Sequence, residues 1–283
     1  MRALALGVER LLPAEVGLHG RAPFVVGLPH DIVRLVGEAG RAALHGTSRL
    51  DPGPRATLEH ARRPVAEAGE RRRRQGGLDA VGALGVGSGD RVVAYGGRNM
   101  IASARVWWTF RVFGHDRVAV LDGGARKWKA EGRPIESGMP EPTPRRFTAG
   151  FRKELVADFG RMRANLEMPR EQMLDARSEG RFVGTEPEPR AGLRGGHIPG
   201  SLNLPYDRVF RTEDDTLLPP EALKAAFSDA GLDLGRPVVT TCGSGVSAAV
   251  LTLGLYLLGR ADAAVYDGSW TEWGGRTDTP VQP

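Results

Sequence analysis

One short segment of this chain concentrates the chemistry. TTCGSGVSAAV, residues 240–250, holds Cys242, the single cysteine among 283 residues. The β-branched run VVTT precedes it and an apolar run follows, so the sulfur falls where a strand hands over to a helix that begins near Val246 or Ser247. A helix amino terminus offers free N–H groups and the positive end of the helix dipole, and both favour thiolate over thiol. Gly243 and Gly245 let the loop curl with successive N–H groups turned inward as an anion nest, and the hydroxyls of Ser244 and Ser247 add donors. Such a loop suits a thiolate, a persulfide or an oxyanion. In this setting Cys242 reads as a nucleophile rather than as a small buried hydrophobe.

Several other chemistries are excluded. A cysteine phosphatase uses a similar loop but needs an arginine six residues after the cysteine to clamp phosphate, and residue 248 is Ala. One cysteine forms no internal disulfide and no cysteine zinc cluster, so no metal site of that kind is expected, and the chain is read as belonging to a reducing compartment, the cytoplasm. No apolar run approaches the length of a membrane span, and Glu9 and Glu15 interrupt the amino terminus where a signal-peptide core would be apolar. The net charge of +5 comes from arginines scattered among Asp and Glu. The run Arg71 to Arg74 is the exception, but no aromatic residues interleave it, so it reads as a solvated segment rather than a nucleic-acid site.

The elements that must position Cys242 occur twice. Residues 91–128 and 236–273 match: Val92 and Val93 with Val238 and Val239, Gly114 with Gly259, Asp122 and Gly123 with Asp267 and Gly268, Trp128 with Trp273. Each copy reads as strand, glycine-rich loop, helix, strand, a pattern that predicts a parallel sheet flanked by helices, with its ligand crevice at the carboxyl ends of the strands. Gly96 stands where the second copy has Cys242, so one loop carries a nucleophile and its twin does not.

Composition changes upstream of about residue 78. Phe24 is the one aromatic residue in the first 94, and the first lysine is Lys127. Residues 1–77 are open to three readings: a divergent half-domain, a disordered leader, or a stretch read out of frame. The organisation expected is thus an atypical segment 1–77, the remainder of a noncatalytic domain at 78–140, a linker at 141–165 and a catalytic domain at 166–283.

The loop CGSGVSA resembles the active-site loop of the 3-mercaptopyruvate sulfurtransferases, the tandem-domain branch of the rhodanese superfamily. YDGSWTEWG, GRFVGTEPEPR and GHIPGSLNLP resemble further motifs of its carboxyl-terminal domain, and SARVWWTFRVFGHDRVAVLDGG is similar to the second half of its noncatalytic domain. The resemblance implies an α/β protein of two rhodanese-like domains, each a parallel sheet flanked by helices, the first atypical or incomplete. It implies transfer of sulfur from a small-molecule donor, 3-mercaptopyruvate, through a Cys242 persulfide to a thiol such as thioredoxin or to cyanide, with no cofactor, nucleic acid or membrane. Arg181 and Arg190 would grip the donor's carboxylate and keto oxygen, Ser244 would centre a proton relay, and Gly243, Gly245, Val246 and Ser247 would complete the donor site.

Thiosulfate-using relatives carry basic residues after the cysteine where Gly243 and Ser244 stand here, so thiosulfate sulfurtransfer is the alternative, followed by a sulfur carrier that does not turn over. Val183 replaces the second arginine of the usual GRFRG. The family's amino-terminal motifs that supply Asp and His to the relay have no match, and His30, His45 and His60 are left unassigned. The same resemblance makes His197 and Asp175 structural, and the recurrence of Asp267 as Asp122 argues likewise for that pair.

Overall fold

The computed structural model describes residues 24–27, 78–96, 100–133 and 143–283, with backbone alone for 24–27. The three readings of residues 1–77, including its histidines and the Arg71 to Arg74 run, lie outside the described residues apart from one strand, Phe24–Gly27.

That strand, β1, is followed by β2 (Val92–Tyr95), α1 (Ile101–Val112), β3 (Val118–Val120) and α2 (Gly124–Ala130). The strands form a parallel sheet in the order β1-β2-β3, with Val92 in register with Val118. The second unit runs β4 (Val156–Ala157), α3 (Phe159–Glu167), β5 (Gln172–Asp175), α4 (Glu179–Phe182), β6 (Leu202–Asn203), α5 (Pro220–Asp229), β7 (Val238–Thr241), α6 (Ala248–Leu257), β8 (Ala264–Tyr266) and α7 (Ser269–Trp273). Its strands pair in parallel in the order β4-β8-β7-β5-β6. The protein is therefore α/β, with parallel sheets flanked by helices. VVTT of β7 is buried at all four positions, as a central parallel strand must be.

The duplication holds at the level of single hydrogen bonds. In one copy the N–H of His115 donates to the Phe110 carbonyl, and in the other the N–H of Arg260 donates to that of Leu255, each at 2.9 Å, closing α1 and α6 at Gly114 and Gly259. These repeat-equivalent helices pack against each other between the two sheets. That position explains why α1 is buried on nearly every side, with Trp107, Trp108 and even Arg105 and Arg111 enclosed. Arg111 stacks on the Tyr256 ring and donates to the Ala261 carbonyl at 3.2 Å, and burial lowers its pKa.

The boundary between units differs from the sequence reading. Phe147, assigned to the linker, packs with Val86, Val92 and Phe110 of the first unit, while Val156–Ala157 pairs with β8. The second sheet thus begins before residue 166, because a two-residue edge strand is too short to leave a periodic signal. No helix among the described residues is long and apolar enough to cross a membrane.

A polar seam joins the units at their edge. Lys127 pairs with Asp214 at 2.9 Å, Arg126 with Asp215 at 2.8 Å, and the Asp122 carboxylate accepts the Leu217 N–H at 2.9 Å. The Thr216 hydroxyl and the Lys127 ammonium hold the Asp214 carboxyl down from 3.8 to about 2. A depressed carboxyl stabilises the fold above 3.8, and that contribution disappears as the pH falls from 3.8 to about 2. Asp214→Asn is expected to lower the urea midpoint at neutral pH by an amount worth under about 1 kcal/mol, as befits a partly exposed pair. The gap from the parent should close across that acid window; a gap constant with pH would refute the assignment.

Candidate active site

Cys242 follows directly on β7, with only 1% of its surface exposed. Burial alone would fit an inert cysteine, so the geometry of the loop has to discriminate. The N–H of Trp270 donates to the Cys242 carbonyl and that of Thr271 to the Gly243 carbonyl, both at 2.9 Å. Because C=O and N–H are antiparallel across a trans peptide, the N–H groups of Gly243 and Ser244 point away from α7. Arg105 Nη1 donates to the Gly245 carbonyl at 3.1 Å, which turns the N–H of Val246 away from that guanidinium in the same manner. Carbonyls held from outside leave the loop amides for its interior. A buried hydrophobe has no need of such an arrangement; an anionic sulfur does.

Gly245 is required where it stands. Its φ is +77°, and a Cβ there would come within 2.8 Å of the Asp267 carboxylate and 3.0 Å of Arg105 Nη1. Helix α6 begins at Ala248, slightly later than expected, because Val246 and Ser247 form a tight turn whose carbonyls accept from Ala249 and Val250. Ser244 and Ser247 make no side-chain hydrogen bond among the described residues, which leaves both hydroxyls uncommitted.

The two arginines singled out in the sequence meet at this loop. A Cβ on Gly243 would lie 2.8 Å from Arg181 Nη2, so the guanidinium rests against the glycine. Arg181 donates through Nη2 and Nε to Glu188, at 2.6 and 3.2 Å. Arg190, on the exposed side, donates through Nη1 to the Thr271 hydroxyl at 2.9 Å, and that hydroxyl donates to the Gly243 carbonyl at 2.6 Å. Residue 243 is thus the meeting point of both.

Beneath Arg181 lies a buried ionic cluster. Arg177, fully enclosed, is bidentate to Asp175, donates to Glu188 at 2.7 Å and to the Gly196 carbonyl at 2.9 Å, and stacks on Trp270. Paired charges of this kind hold position, since breaking one leaves the others uncompensated. Asp175 is accordingly a strand-end anchor. His197 stacks on Phe182 at 3.7 Å, and its Nδ1 lies 2.9 Å from the Phe182 carbonyl, a structural role as expected. Trp270 and Trp273 pack in the core of the second unit.

Repeat symmetry exposes one further residue. The N–H of Ala125 reaches the Gly96 carbonyl at 2.9 Å, as that of Trp270 reaches Cys242. The residue before each donor is left-handed, Gly124 at φ +58° and Ser269 at φ +50°. A side chain there costs on the order of 1 kcal/mol. In the second unit its hydroxyl accepts the Cys242 N–H at 3.3 Å and donates to the Tyr266 carbonyl at 2.7 Å, offsetting that cost beside the cysteine.

Comparison with known proteins fits this geometry. The family model for the rhodanese-like domain matches residues 159–276. The crystal structure of SseA from Escherichia coli, a 3-mercaptopyruvate sulfotransferase of rhodanese fold, superposes with a TM-score of 0.61 at 33% identity, over 68% of this chain and 71% of that one. The chain belongs to the rhodanese family. It is also similar to the thiosulfate/3-mercaptopyruvate sulfurtransferase 1, mitochondrial, of Arabidopsis thaliana, at 42% identity over 71% of this chain and 58% of the relative. The 3-mercaptopyruvate sulfurtransferase of Homo sapiens is 43% identical over 68% of this chain and 65% of that protein. The chain therefore spans less than two thirds of the length of these sequence relatives.

Within this rhodanese unit, Glu188, Arg177, Thr271 and Ser269 escaped the sequence reading although all lie in or beside its motifs. Arg105 lies farther off, and its signal was one of two arginines within a largely apolar helical run. Its ion pair with Asp267 is buried, with side chains 4% and 2% exposed. Arg105→Ala removes this enclosed guanidinium from the carboxylate and should cost about 3 to 5 kcal/mol. Adding Asp267→Asn should recover part of that loss, so urea unfolding of the two singles and the double should give clearly non-additive values.

Proposed function

We propose that this protein is a sulfurtransferase that takes sulfur from 3-mercaptopyruvate, carries it as a Cys242 persulfide and passes it to a thiol such as thioredoxin, or to cyanide. The observation that carries this reading is the convergence of Arg181 and Arg190 on Gly243, the residue next to the cysteine. An α-keto acid presents a carboxylate and a keto oxygen side by side, and two guanidinium groups suit that pair.

In the first half-reaction the Cys242 thiolate attacks the donor's thiol sulfur. The S–S bond forms, the C–S bond breaks, and its electron pair leaves on carbon as the enolate of pyruvate. The enolate takes up a proton to give pyruvate, and the Ser244 hydroxyl is the loop group we assign to conveying it. Loop N–H groups of Gly243, Ser244 and Val246 stabilise charge on the sulfur. In the second half-reaction an acceptor thiolate attacks the outer sulfur, and Cys242 leaves as thiolate. Neither step needs a cofactor. Ser247 and the backbone of Gly245 and Val246 complete the donor pocket in this reading.

Charge favours mercaptopyruvate over thiosulfate. Glu188 matches the charge of Arg181 and leaves its Nη1 to a neutral keto oxygen, whereas Arg190 has no acidic partner among the described residues. One uncompensated cation suits one carboxylate better than a dianion, and Gly243 and Ser244 add no charge. A free catalytic thiol belongs in a reducing compartment, and we place the protein in the cytoplasm.

Intact mass after brief exposure to 3-mercaptopyruvate should show a gain of one sulfur in the parent and none in Cys242→Ser. Arg190→Ala should raise KM for mercaptopyruvate about 10- to 100-fold, the range for a lost charged hydrogen bond. Sulfur retained by Cys242→Ser would sink the reading. Faster use of thiosulfate than of mercaptopyruvate would favour the other donor, and sulfur uptake without turnover would mark a carrier.

A further inference from the structure

We propose that Thr271 is a positioning residue, which aims Arg190 at the donor's carboxylate and joins that contact to the peptide group over the sulfur. The proposal rests on the sulfurtransferase reading above. Its basis is a chain of hydrogen bonds whose direction is fixed by chemistry. A guanidinium only donates and a carbonyl only accepts, so the Thr271 hydroxyl, with one proton, must accept from Arg190 at 2.9 Å and donate to Gly243 at 2.6 Å. The cation therefore stands at one end of a relay that ends on the peptide between Gly243 and Ser244. Hydrogen bonds in series polarise one another, so this relay makes the Ser244 N–H a stronger donor to charge on the loop's inner side.

The Gly243 carbonyl receives two bonds, and they divide the work. The backbone N–H of Thr271 already holds it at 2.9 Å, so the path of the loop does not depend on the hydroxyl. The hydroxyl is what links Arg190. That arginine is exposed, and Thr271 is its hydrogen-bond partner among the described residues. A long exposed side chain must otherwise be ordered when the donor binds, and tethering one of its nitrogens in advance lowers that cost while Nη2 and Nε stay available to a carboxylate. Thr271 itself is exposed and sits on α7, whose Trp270 and Trp273 are almost wholly buried and anchor the helix.

The test compares Thr271→Val, which keeps shape and loses the hydroxyl, with Thr271→Ser, which keeps it. Both are measured in the parent and in the Arg190→Ala background, by calorimetric affinity for pyruvate and by kcat and KM for mercaptopyruvate with cyanide as acceptor. Thr271→Val should raise the pyruvate Kd and the KM about three- to tenfold, the range for one ordinary hydrogen bond, with a smaller fall in kcat. Thr271→Ser should restore both, and Thr271→Val should add nothing once Arg190 is Ala. A parent that turns over normally while Thr271→Val leaves Kd and KM unmoved overturns the proposal alone. So does an undiminished effect of Thr271→Val in the Arg190→Ala background. A parent that neither binds pyruvate nor acquires sulfur overturns the sulfurtransferase reading, and this proposal with it.

Discussion

A buried guanidinium crosses from one unit of this protein to the other. Arg105, on α1, pairs with Asp267 beyond β8, donates to the Gly245 carbonyl in the cysteine loop, and lies 4.4 Å from the centre of the Trp108 ring. Charge enclosed in this way cannot shift without desolvation cost, so its three partners are held relative to one another. One of them is the loop carrying the nucleophile. The unit without a cysteine thus helps to hold the cysteine loop, and the packing of α1 on α6 brings Arg105 to it as well as burying apolar surface.

The duplication shows one loop template used with a cysteine in one unit and without it in the other. Both units hold the loop carbonyl with an N–H from the following helix, and both use a left-handed residue just before that donor. The template turns carbonyls one way and amides the other whatever residue stands at the centre. Cys242 exploits it, whereas Gly96 presents no side chain. Ser269 in place of Gly124 then adds a hydroxyl against the cysteine's own backbone.

Charge around the loop is graded. Asp175 and Glu188 together balance Arg177 and Arg181, and the enclosed part of that cluster gives Arg181 a fixed platform, while Arg190 stands outside with a neutral partner. Positioning and attraction are therefore assigned to different arginines. Pairing fixes Arg181 in place, whereas Arg190 has no acidic partner among the described residues.

Much of this was legible in the chain itself, for physical reasons that differ by residue. Strand β7, the glycine loop and α6 follow from β-branched runs, glycine placement and apolar length, all local properties; the repeat repeats them, so the α/β architecture is determined twice. Arg181 and Arg190 became legible through the motif around them. Edge strand β4 left too short a pattern to be seen, and the unit boundary moved with it. Arg105 and Thr271 carry no local signature of their roles, because each role consists of a contact across the fold: Arg105 lies 140 residues from Gly245 and Arg190 lies 81 from Thr271. By itself the sequence determined where a nucleophile could stand and what backbone would surround it. Only the tertiary structure decided which charges surround it and which remain uncompensated, because that depends on distances between segments whose order along the chain does not encode them.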